Sequence, residues 1–148
     1  MRHFNWGKEM QATVKWVDGV MFVGETGSGH AVVMDGPPDH GGRNMGMRPM
    51  EMILLGLGGC SSFDVMQILQ KGRNNIVKCS AEISAERVDA VPSVFSKIHL
   101  HFVVSGRDLK ESAVERAVKL SAEKYCSASI MLSKAGVEIT HDFEVIEV

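Results

Sequence analysis

The chain has 148 residues, 45% of them hydrophobic and 23% charged, with a net charge of -2; this suits one globular domain able to bury roughly two-thirds of the surface its unfolded form exposes. Such a balance excludes the basic field that nucleic acid or an anionic membrane would select. The nearly uncharged apolar stretch Met52 to Phe63 is too short to span a bilayer, and the N-terminus lacks the charged, apolar and small-residue order of a signal peptide, so a cytoplasmic protein is expected.

Residues 1–9 carry no clear pattern and read as an N-terminal extension, with Met10 a candidate alternative start. Ala12 to Val17, Val20 to Val23 and Ala31 to Met34 are β-prone runs separated by Asp18-Gly19 and Gly27-Ser28-Gly29, which predicts a three-stranded meander. Asp35 to Met47, rich in glycine and proline around His40, predicts a loop long enough to be mobile, and mobile loops often border sites. From Pro49 to about Gly72 the pattern is helical: Pro49 suits the first turn, and Glu51 the positive end of the dipole. The first half of that helix is apolar almost all round, so it is expected to be central and buried; Asp64, Gln67 and Lys71 give the second half a polar face.

Two alternating strands follow. Val77, Cys79, Ala81, Ile83 and Ala85 share one face of the first, and Ile98, Leu100, Phe102 and Val104 one face of the second, opposite Lys97, His99 and His101. Asp108 and Glu111 read as a capping box opening a second helix, with Leu109, Ala113, Ala117, Leu120 and Lys124 along one stripe. Ser127 to Ala135 predicts a short third helix closed by Gly136, and Val137 to about Val145 a last strand. The order βββ-α-ββ-α-α-β predicts an α+β fold, a single domain over residues 1–148 with sheets packed on a long central helix.

Three cysteines make no full disulfide framework, and in the cytosol thiols or a reversible disulfide are expected instead. Cys60 follows Gly58-Gly59 in the long helix, and Cys126 opens the short third one, where a helix N-terminus would lower a thiol pKa. On the residues alone Cys60 reads first as a small core residue, and Cys79 as core. His99 and His101 read as a solvated face, since no third metal ligand converges on them in sequence; His141 reads as a hydrogen-bonded core histidine. Met45, Met47, Met50 and Met52 either line an apolar pocket or fill gaps.

The Pro49-Met50-Glu51-Met52 entry to a helix whose apolar run ends at Gly58-Gly59-Cys60 and the later Glu123-Lys124-Tyr125-Cys126-Ser127, with Val14-Lys15-Trp16-Val17 and Ser105-Gly106-Arg107-Asp108-Leu109-Lys110, resemble the OsmC/Ohr family. The likeness is greatest to its YhfA-like branch and runs from Met10 onward. It implies an intertwined homodimer and a thiol-dependent reduction of organic hydroperoxides, with Cys60 as the attacking thiol and Cys126 as the resolving one. It further implies an external dithiol reductant and calls for no metal and no bound organic cofactor. In the family's peroxidases a glutamate directly after the helix-opening proline holds an arginine from the N-terminal hairpin over the attacking sulfur. Here Met50 takes that place, Glu51 comes one residue later, and the hairpin from Val14 to Met34 has no arginine. Arg43 or Arg48 would have to supply the charge, and Asp64, one turn beyond Cys60, opposes a thiolate. These departures favour the alternative reading, a non-catalytic protein that senses redox state or binds a small ligand on the same fold.

Overall fold

The computed structural model describes residues 9–148; the N-terminal extension expected at 1–9 lies outside the described residues except for Glu9. By internal packing the chain forms two compact units, residues 1–53 and 54–148, and helix α1 (Pro49–Lys71) begins in the first and runs into the second.

In the first unit β1 (Ala12–Asp18), β2 (Met21–Thr26) and β3 (Ala31–Met34) form an antiparallel meander in that order. The β1–β2 turn uses Gly19 at a φ of 55°, a left-handed conformation that glycine adopts without steric cost. Trp16 closes the turn by donating from Nε1 to the Gly19 carbonyl over 2.9 Å. The segment after β3 is the loop the sequence predicts, with one short 3-10 turn at Pro38–His40. The Asp35 carboxylate, buried at 3% exposure, accepts from the amides of Gly36 at 2.7 Å, Arg43 at 3.1 Å and Met45 at 3.1 Å, and one short acceptor thereby organises the whole excursion. These amide bonds, that from Met45 foremost, hold its carboxyl below the usual carboxylate range against the opposing effect of burial. Asp35 is the one buried residue among those described in this unit.

In the second unit β4 (Asn75–Arg87), β5 (Phe95–Arg107) and β6 (Glu138–Glu147) make the other sheet, in that order. β4 runs antiparallel to β5 and β6 parallel to it, so a crossover is required. Helices α2 (Glu111–Leu120) and α3 (Ser127–Lys134) supply it. Ile98, Leu100, Phe102 and Val104 of β5 form the floor of the core as their alternation predicts, with Leu57, Val65 and Leu69 of α1 and Val114, Ala117 and Val118 of α2 buried with them. Gly58 allows α1 to approach β4, because a Cβ there would run into the Ile83 side chain.

Several local expectations are corrected. A register shift between Ile76 and Lys78 changes the phase of β4, so Ile76 is half-buried and Val77 exposed. Asp108 does not cap α2: it takes a φ of 52°, its amide donates to Glu147 Oε1 at 3.0 Å, and Lys110 occupies the cap position without a side-chain bond. The stripe continuing to Lys124 is broken at Leu120, where a π-turn over Ser121–Tyr125 replaces the α-helix. His141 is exposed in the single chain, not core. Helix α1, apolar almost all round in its first half, is fully buried only along Leu57, Gly58, Ser61, Val65 and Leu69, leaving Leu55 and Phe63 exposed. It continues well past Phe63, so by length and composition alone it would suit a membrane span; the Leu57–Leu69 stripe is spent on the core of this unit instead.

Candidate active site

Three elements of the second unit meet around Cys126. Helix α2 ends in the π-turn, whose closing bond runs from the Cys126 amide to the Ser121 carbonyl over 2.8 Å. Such a wide turn inserts a residue into helical geometry and re-aims the side chains beyond it, which is why π-turns concentrate at functional positions. Cys126 then serves as the N-cap of α3, its sulfur accepting from the Ser129 amide at 3.4 Å. From the other side α1 presents Ser61, whose hydroxyl lies 3.1 Å from Cys126 Sγ. Ser121 donates to the Ser61 carbonyl at 3.1 Å and to Asp64 Oδ2 at 3.3 Å.

Cys60 precedes Ser61 on α1 and Asp64 follows Cys60 by one turn, which sets both on one side of the helix. The sulfurs of Cys60 and Cys126 and a carboxylate oxygen of Asp64 all lie within 4.8 Å of one another. A disulfide is about 2 Å long, so the two sulfurs are near one another but not bonded. Both thiols are free, Cys60 half-buried and Cys126 fully buried. Burial pushes the Cys126 thiol above its ordinary range, an effect that the Ser61 and Ser129 hydrogen bonds only partly offset and the neighbouring Cys60 reinforces. The helix start therefore acts in the expected direction but does not prevail, because desolvation of a charged sulfur outweighs one amide dipole. Burial likewise raises the Asp64 carboxyl, with the Ser121 hydroxyl acting against it. Cys79, the third thiol, is half-buried on β4 and raised by desolvation, as suits a packing residue.

Glu51, Arg48, Arg43 and the methionines singled out in the sequence belong to the first unit. Glu51 accepts from the Arg48 amide at 2.8 Å, the N3 half of a capping box, which explains a glutamate at this position. The Arg48 guanidinium donates to Asn44 Oδ1 at 2.8 Å and to the Gly46 carbonyl at 3.2 Å, and that of Arg43 to Asp18 Oδ2 at 3.1 Å. Among the methionines, Met45 is exposed and Met47, Met50 and Met52 are half-buried.

Sequence reasoning missed Ser61, Ser121 and Ser129. Ser61 was within reach, since Leu57, Ser61, Val65 and Leu69 recur every fourth residue and Ser61 is the one hydroxyl on that stripe. The His99 and His101 face also has a partner the sequence could not show: parallel pairing of β6 on β5 brings Asp142 within 2.9 Å of His99 Nε2 and 2.6 Å of His101 Nδ1.

Residues 40–142 match the family model described as OsmC-like protein, a stretch that runs through both units. The chain is 54% identical over 140 residues to Protein YhfA of Escherichia coli strain K12, covering 93% of this chain and 98% of that one. The chain belongs to the OsmC-like family. In structure it is similar to a hypothetical protein from Aquifex aeolicus VF5, at 28% identity and a TM-score of 0.83, covering 95% of this chain and 98% of the other. It shares its fold with the organic hydroperoxide resistance protein OsmC from Legionella pneumophila, at 17% identity and a TM-score of 0.71, covering 94% and 98% respectively. The α+β arrangement of an OsmC-like protein, with two small sheets and three helices, is thus the one the sequence predicts.

Proposed function

We propose that this protein reduces organic hydroperoxides with Cys60 as the attacking thiol and Cys126 as the resolving thiol. The observation that carries the reading is the convergence of the two sulfurs within 4.8 Å in an OsmC-like chain that shares its fold with a protein described as conferring organic hydroperoxide resistance. Exposure supports that order of events: the peroxide must reach the first sulfur, and Cys60 is half-buried whereas Cys126 is buried.

The chemistry balances on these groups and an external dithiol. The Cys60 thiolate attacks the O–O bond of ROOH; the O–O bond breaks, ROH leaves with a proton, and sulfenic acid remains on Cys60. The Cys126 thiol displaces that hydroxyl, forming the S–S bond and releasing water. A dithiol then reduces the bridge by exchange and leaves as its own disulfide. An arginine is the natural counter-charge for the thiolate and the developing alkoxide, and Arg48 and Arg43, supported by Glu51, are the candidates.

The reading includes a homodimer in a reducing, cytoplasmic setting. Trp16 at 65%, Leu55 at 58% and Phe63 at 63% exposure are large apolar groups left open in the single chain, and a meander with no apolar core of its own is marginal in water. A second copy would cover both.

The engagement of Glu51 with a backbone amide and of Arg43 with Asp18 favours a second reading, a non-catalytic redox sensor or small-ligand binder. The two separate by experiment: consumption of cumene hydroperoxide with a lipoyl dithiol, wild type against Cys60→Ser, with the Cys60–Cys126 bridge followed by mass spectrometry. Turnover abolished by Cys60→Ser, with a bridge in the wild type, is expected. Absent turnover with Cys60 left reduced would overturn the peroxidase in favour of the sensor or binder.

A further inference from the structure

The thiol cycle needs two sulfurs, yet the cluster contains a third ligand-type group that the cycle does not use. Asp64 stands beside both thiols, accepts one hydrogen bond from Ser121, and takes part in no salt bridge among the described residues. A carboxylate there repels any thiolate that forms, and in a desolvated setting the repulsion is strong. A dication reverses that sign, since three converging anionic ligands more than neutralise its charge.

We infer that the reduced protein binds a thiophilic divalent metal, zinc foremost, through Cys60 Sγ, Cys126 Sγ and the Asp64 carboxylate. Zinc takes sulfur at about 2.3 Å and carboxylate oxygen at about 2.0–2.2 Å in a tetrahedron, which sets ligand-to-ligand edges of roughly 3.5–3.8 Å. The three atoms already lie within 4.8 Å of one another, so a contraction of no more than about 1.0–1.3 Å per edge completes the set. Two thiolates select zinc over magnesium or calcium, which prefer oxygen alone. Water or the Ser61 hydroxyl, 3.1 Å from Cys126 Sγ, takes the fourth position. Each zinc displaces two thiol protons into solvent and changes no oxidation state.

Metal and disulfide then exclude one another, because both claim the same sulfurs. Oxidation to the bridge ejects the ion, and the bound ion withholds Cys60 from a hydroperoxide. The block on turnover rests on the peroxidase reading, whereas the binding does not.

The test is equilibrium dialysis of the reduced full-length protein against zinc, with cobalt as a spectroscopic probe for thiolate-to-metal charge transfer. One zinc per chain and a charge-transfer band are expected in the wild type. Both should vanish in Cys60→Ser and in the bridged wild type, and affinity should fall roughly tenfold or more in Asp64→Asn, with circular dichroism confirming the fold of each. A folded, reduced wild type that retains no zinc would overturn the site. So would equal retention in Cys60→Ser, which would place the ion elsewhere, for instance at His99, His101 and Asp142. Asp64→Asn binding as the wild type does would remove the carboxylate from the set and overturn the three-ligand site. Zinc binding without hydroperoxide turnover would sink the peroxidase and leave the metal site standing, and turnover without zinc binding would do the reverse.

Discussion

The Ser61 hydroxyl lies 3.1 Å from the Cys126 sulfur, joining helix α1 to the start of α3 across 65 positions of chain inside the core. Of the groups that act on this thiol, burial disfavours its ionised form most, and the Ser61 hydrogen bond is the largest effect in the opposite direction. On the proposed thiol cycle that hydroxyl favours the ionised thiol that closes the disulfide, against the larger effect of burial.

On the proposed cycle Ser61→Ala is therefore expected to slow bridge formation while leaving attack of Cys60 on peroxide nearly unchanged. A net hydrogen bond of about 0.5–1.5 kcal/mol corresponds to closure slower by roughly two- to tenfold, and to a similar loss of stability. Rapid-quench mass spectrometry should show sulfenic and then sulfinic acid accumulating at Cys60. Unchanged closure would mean that the hydroxyl only packs.

Arg48 and Arg43 differ in what they have left to offer. Arg43 pairs with the carboxylate of Asp18, whereas the Arg48 guanidinium donates to a neutral amide oxygen and a carbonyl and keeps its full charge. If one of them stabilises the reacting oxygen, it is Arg48. Arg48→Ala is expected to lower kcat/KM about tenfold, or roughly 1.4 kcal/mol, and Arg43→Ala to leave it within about twofold. Steady-state kinetics with cumene hydroperoxide check this, and the reverse ranking would exchange their roles.

The elements that were legible in the sequence are those whose side chains follow a clean period. β5 alternates at Ile98, Leu100, Phe102 and Val104 without interruption, and the structure buries all four; Pro49 marks the start of α1 to the residue. What was not legible depends on backbone departures from regularity or on distant pairing. Register shifts such as that after Ile76 and π-turns such as that at Ser121 insert a residue without a side-chain signature. The hydrogen bond between Ser61 and Cys126 joins elements 65 positions apart, so the sequence pointed to the thiols but not to the hydroxyl beside them. The Asp142 partner of His99 and His101 depended on a parallel crossover whose register no local pattern states.

That partner makes stability depend on pH in a calculable direction. The hydrogen bond that His101 donates to Asp142, reinforced by the carboxylate's charge, raises the His101 pKa above its ordinary value, and the same bond lowers that of Asp142 below its own. A raised histidine stabilises fully below its unfolded pKa, and that contribution disappears as pH rises through the folded value; a lowered carboxyl stabilises above its unfolded pKa and loses it as pH falls through the folded one. The pair is therefore most favourable between about pH 4 and 6.5. The Tm difference between wild type and Asp142→Asn should be largest in that window and shrink toward pH 8. A difference independent of pH would show that the cluster contributes packing alone.

Leu55, Gly59 and Phe63 recur every fourth residue on the face of α1 that the single chain leaves exposed, and a Cβ added at Gly59 would meet nothing within 4 Å there. Within one chain, Gly59→Leu should therefore be harmless or stabilising, since a glycine inside a helix costs roughly 0.5–1 kcal/mol relative to alanine. A second copy crossing at this point would clash with the same leucine. Light scattering should find the wild type at twice its 16.2 kDa chain mass, with Gly59→Leu and Phe63→Glu shifted toward the monomer. A variant that is both fully dimeric and more stable would move the interface off this face and onto the exposed meander around Trp16.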